Sequence, residues 1–83
     1  MADQKLGAVS HYFDHIQVAI VEVESPFSVG DKIKFVKNGE ELFQQEIASI
    51  QEEHKQLDKT KKGQSVGVKV DQKVQEGVEV YEV

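Results

Sequence analysis

The chain predicts a small all-β domain built on one curved sheet, and two observations carry that prediction. Three times a glycine beside polar residues is followed by apolar residues on alternate positions: Gly30 to Phe35, Gly63 to Val70, and Gly77 to Tyr81. Glycine permits the positive φ of a tight turn, and side chains two apart share one face of a pleated strand. The second observation is compositional: 18 residues are Val or Ile, against 3 Leu and 1 Met. That bias suits a pleated, half-buried surface and handicaps helices.

Eighty-three residues make one domain. A chain of this length buries about two thirds of its unfolded surface, so the core is modest. The division expected is a flexible tail over 1–5 and a single domain over 6–83. Leu6 to Phe13 reads as the first strand, with Asp14-His15 as the reversal. Ile16 to Val23 is apolar on both parities: Ile16, Val18 and Ile20 on one face, Ala19, Val21 and Val23 on the other. Only a strand covered on both sides, or one bending around a barrel corner, accommodates that pattern.

Pro26 closes this strand because it has no N–H to donate. Phe27 to Asp31 forms the turn into a third strand over Lys32 to Lys37, and Asn38-Gly39 is a strong hairpin dipeptide. Ser65 to Asp71 and Val78 to Val83 alternate well and form the last two strands. Of the Tyr12-Phe13 pair, neighbours on a strand, one ring enters the core; Phe13 is the expected one. Between Asn38 and Lys62 local rules disagree. Asn38 and Glu41 resemble a helix cap with its box partner, and Leu42, Phe43, Ile47, Ile50 and Leu57 recur at helical spacing. A strand there needs its phase to slip near Ala48-Ser49, as a β-bulge would provide.

Charge and composition exclude several functions. A net charge of −5 argues against non-specific binding of nucleic acid, which depends on summed positive charge. Six lysines nevertheless crowd the 19 residues from Lys55 to Lys73, after the acidic run of Glu40, Glu41, Glu46, Glu52 and Glu53. With no cysteine there is no disulfide framework or thiolate metal site. No apolar run approaches a membrane span, so no membrane association and a cytoplasmic location are expected. No Gly-x-x-x-x-Gly-Lys-Ser/Thr loop occurs, so nucleotide binding is not expected.

His11, Asp14 and His15 would need the distant His54 to complete a metal site, and they read as exposed turn residues. Neither Ser10-His11 nor Ser49 with His54 comes with a nucleophile elbow or an orienting acid. Adjacent glutamates such as Glu40-Glu41 and Glu52-Glu53 point to opposite sides of a strand and cannot pair as acid and base. Neither an enzyme nor a cofactor or metal site is expected.

Ser49 to Leu57, followed by Lys62 to Val68, resembles the second domain of the translational GTPases of the elongation factor Tu and 1A group. Phe27 to Ile33 and Glu76 to Val80 look like that domain's turn and closing motifs. His11 to Asp14 with Ile16 to Ala19, together with Ser49 to His54, resembles stand-alone elongation factor-like proteins and the C-terminal barrel of the U32 peptidase-like family. The resemblance covers Gly7 to Val83. It implies a closed six- to seven-stranded Greek-key β-barrel of the translation-protein type, and strand rather than helix over Leu42 to Glu52. A loop from Lys55 to Lys62 would then lead into the next strand.

The resemblance further implies a surface around Gln51 and His54, flanked by Lys55, Lys59, Lys61 and Lys62, that would contact RNA. The elongation factors receive the 3′ end of aminoacyl-tRNA at the matching place, although Gln51 stands where they carry a glutamate. Recognition of an unstacked base calls for hydrogen-bonding side chains and nearby cations. Two functions follow as expectations. One is a non-catalytic translation-associated module contacting tRNA, rRNA or the ribosome; the alternative is a protein-interaction accessory barrel for a separately encoded enzyme such as a U32 peptidase-like protein.

Overall fold

Eight strands pair antiparallel into a single sheet in the computed structural model, which describes residues 4–52 and 55–83. They are β1 Lys5–Phe13, β2 Val18–Val23, β3 Lys32–Lys37, β4 Glu40–Glu46, β5 Ile50–Glu52, β6 Lys55–Leu57, β7 Ser65–Lys69 and β8 Glu79–Glu82. The order across the sheet is β4-β3-β8-β1-β2-β7-β5-β6. The all-β expectation holds, and β3 has the bounds read from the sequence. Of the tail expected over 1–5, residues 1–3 lie outside the described residues, and Lys5 already belongs to β1.

The sheet is not the closed six- to seven-stranded barrel that the resemblance implied. It has eight strands, and no ladder joins β4 to β6 among the described residues. The reason lies in the loops. The chain after β6 bonds to the loop before β3: Val29 N donates to Asp58 O at 2.8 Å, and Thr60 N to Phe27 O at 2.8 Å. The ends of the sheet are thus tied by loop backbone where a barrel would have a strand pair.

Strand replaces helix between Asn38 and Glu52 because Asn38 and Gly39 take φ of +53° and +80°, which turns the chain into a hairpin. The phase slip expected near Ala48-Ser49 takes the form of a corner and not a bulge. The Ile47–Ser49 stretch carries the chain from β4, at one edge of the sheet, to β5, next to the other. Ile47 N donates to Asp31 O and Gly30 N to Ile47 O, both at 2.9 Å, and these bonds hold the corner. The loop expected from Lys55 to Lys62 is also revised, since its first three residues form β6 against β5.

The core is aliphatic. Leu6, Val9, Ala19, Val21, Val23, Ile33, Phe35, Ile50, Val66, Val68 and Val80 turn inward from their strands, joined by Phe27, Ile47, Val70, Val74 and Val78 from the loops. Phe35 and Phe43, opposite each other on β3 and β4, stack with ring centroids 4.7 Å apart.

One parity came out reversed. A bulge between Val9 and His11 shifts the β1–β2 register, so Tyr12 packs on the core while Phe13 sits 43% exposed on the outer face. An extra residue in a strand flips every side chain beyond it.

Candidate functional site

The residues singled out as a contact surface fall into two groups. Gln51 lies on the outer face of β5, opposite Gly67 of β7 and Gln56 of β6. Lys55 opens β6 across from Glu52. Lys59 bridges to Ser28, and Lys61 and Lys62 lie in the turn that Gly63 completes with a φ of +90°. There the Gln64 Oε1 accepts a hydrogen bond from Lys61 N at 2.8 Å. All four lysines are exposed, and none forms an ion pair among the described residues. His54 lies outside the described residues, as does Glu53.

Gln51 lines a groove of about 270 Å³ on the outer face of β2, β7 and β5, and none of the four lysines is among its lining residues. Phe13, Ile16, Val18 and Ile20 form its apolar part, and Gln51, Glu52 and Ser65 its polar wall. Gly67 is the floor: a Cβ built there would come 3.0 Å from Val18 Cγ1 and 3.7 Å from Ile20 Cδ1. Residue-by-residue reading passed over this groove, although the apolar alternation of Ile16 to Val23 on both parities was its signal.

Among the described residues the candidate catalytic groups do not converge. His11 Nδ1 lies 3.2 Å from Glu76 Oε2, an exposed pair, and its ring meets Phe13 edge-on with centroids 4.5 Å apart. No group of three or more His, Asp or Glu side chains that could hold a metal forms among the described residues. Ser10 Oγ and Ser65 Oγ both donate to Glu22 Oε2, at 3.4 and 2.5 Å. This is a carboxylate tied down by hydroxyls, with no imidazole among the described residues in the network to act as a base. No helix among the described residues is long and apolar enough to cross a membrane.

Known proteins share this fold. The profile of the peptidase family U32 C-terminal domain matches residues 3–78. The chain belongs to this family. An uncharacterized protease of Methanocaldococcus jannaschii is 31% identical over 77 residues, which is 93% of this chain and 19% of that protein. The chain therefore spans about a fifth of the length of the curated relative it matches.

Among solved structures, the C-terminal domain of a putative U32 peptidase from Geobacillus thermoleovorans superposes with a TM-score of 0.88 at 26% identity. That match covers 96% of this chain and 92% of the other. The selenomethionine variant of the same domain also gives 0.88, over 95% of this chain and 99% of that one. The U32 half of the resemblance is thereby shown, while none of these matches is to a translation factor.

Proposed function

We propose that this domain is a non-catalytic accessory unit that docks on the catalytic body of a U32 peptidase-like protein. The observation that supports it most is the match over residues 3–78 to a domain that elsewhere forms the C-terminal part of a longer protease. The physical character of the surface agrees. It offers apolar and hydrogen-bonding side chains in a groove, and the Ser10 and Ser65 hydroxyls are spent on the Glu22 carboxylate. Its work is recognition, with no bond made or broken.

Contact with RNA through Lys55, Lys59, Lys61 and Lys62 is the second reading. Four exposed cations on a body of net charge −5 favour it only locally. Phe27, bonded to Thr60 beside them, is buried and offers no ring for a base to stack on. The accessory reading therefore stands first.

The two separate in one titration series. The purified chain is mixed with the nuclease-treated catalytic body of a U32-type protein encoded in the same genome, and separately with tRNA. Saturable binding to the protein at physiological salt is expected. Binding to tRNA alone, steeply salt-dependent and abolished when Lys59, Lys61 and Lys62 are replaced by glutamate, would reverse the order.

A further inference from the structure

We infer that the outer-face groove of Phe13, Ile16, Val18 and Ile20 is the seat for that catalytic body, an inference that rests on the accessory reading above. The starting point is an unmet demand in β2. Its inner residues Ala19, Val21 and Val23 are 0%, 1% and 4% exposed, so the core face is complete. Its outer residues Val18 and Ile20 are aliphatic as well, yet nothing among the described residues covers them beyond a half-buried state. A strand with apolar residues on both faces belongs between two layers, and this protein supplies one.

Two neighbours extend the patch. Phe13 is 43% exposed, and Ile16, in the four-residue turn between β1 and β2, is 59% exposed. A turn tip has no folding reason to carry an isoleucine, and contiguous exposed apolar surface marks an interaction site. The Phe13 ring is held edge-on by His11, itself paired with Glu76. An aromatic anchor fixed before binding loses little freedom on docking.

Gly67 supplies the room. Glycine inside a strand weakens it, and here the strand is flanked on both sides, by β2 and β5. Any side chain at this place would stand between Val18 and Gln51 and fill the floor. What remains is an apolar centre with Gln51, Glu52 and Ser65 on one rim, the usual anatomy of a protein interface. At about 270 Å³ it is smaller than the pockets of roughly 300–1,000 Å³ that enclose small molecules, and it suits an inserted side chain better than a cofactor.

The occupant follows from the company the domain keeps. In the Methanocaldococcus jannaschii relative the matching segment is 19% of the chain, so a body about four times larger accompanies it. The partner chemistry expected is an apolar side chain presented by that body, with donors set to meet Gln51 and the Glu52 carboxylate.

The test measures the affinity of the full chain for the purified catalytic body of a U32-type protein from the same genome. Ile16→Ser, and Ile16→Ser combined with Phe13→Ser, are compared with Leu42→Ser, an apolar residue outside the groove that is as exposed as Phe13. The groove variants are expected to weaken binding about tenfold or more, as anchor residues do, while Leu42→Ser leaves it unchanged. Amides of 13–20 and 65–69 should gain hydrogen-exchange protection in the complex. Unaltered thermal unfolding of Ile16→Ser, whose side chain lies in a turn, establishes that it is folded.

Wild-type binding that the groove variants leave intact would overturn the groove assignment and spare the accessory reading. Equal loss in the Leu42 variant would also overturn it. No wild-type binding at all would remove both.

Discussion

The Gln45 carboxamide accepts a hydrogen bond from Asp71 N at 2.8 Å and, through its Nε2, donates one to Lys69 O at 2.9 Å. Gln45 faces inward from β4, paired with Ile33, and is 6% exposed. One side chain thus plays the part of a missing strand, linking the β4 edge to the end of β7 where no backbone ladder runs. Gln45→Leu is expected to lower stability by about 1–2 kcal/mol, because it leaves two part-buried backbone groups without this partner. Gln45→Glu should cost more at neutral pH, since a carboxylate has no N–H for the Lys69 carbonyl. Urea unfolding of the three proteins measures both effects; equal midpoints would deny Gln45 this role.

Thr60 makes a comparable tie on a smaller scale. It is 2% exposed, and its Oγ1 accepts from Phe27 N at 3.0 Å. Thr60→Val keeps the shape but orphans that N–H, so a loss of about 1–3 kcal/mol is expected. Thr60→Ser retains the acceptor and should cost clearly less. The comparison is read from thermal or chemical unfolding.

Gly7 is needed for space. A Cβ there would lie 2.3 Å from Glu22 O on the neighbouring strand, and backbone cannot move aside as a side chain can. Gly30 has open space around it but a φ of +94°. Gly30→Ala should cost about 1–2 kcal/mol, the strain of a left-handed alanine. Gly7→Ala should cost more, and its soluble yield should fall first. Similar unfolding midpoints for the two would contradict the close approach of β1 and β2.

Lys5 bridges Glu79 at 3.0 Å and Glu24 at 3.3 Å. Its ammonium is held above the ordinary value of 10.5, chiefly by the hydrogen bond to Glu79, with burial opposing and Glu24 assisting. A raised folded pKa means the contribution is fully present below 10.5 and is lost as pH climbs through the folded value. The side chain is 34% exposed, so Lys5→Met should cost no more than about 1 kcal/mol at neutral pH. The gap between the two proteins should close in alkaline unfolding experiments.

Much of this architecture was legible from local chemistry. The Asn38-Gly39 hairpin, the bounds of β3 and the positive-φ turns at Gly30, Gly63 and Gly77 depend on residues adjacent in the chain. The candidate surface was less legible. Its lysines are exposed as expected, but Gln51 parts from them and joins a groove whose other members come from β1, β2 and β7.

Alternation and turn chemistry were enough to specify strands, their approximate limits and an aliphatic interior, because each rule acts over a few residues. Three features needed the assembled sheet. The bulge that puts Phe13 outside, the Ile47–Ser49 corner and the tie that Gln45 makes from the β4 edge to the end of β7 all depend on which strand lies beside which. Pairing partners far apart in the chain set register, and register decides which face each side chain takes.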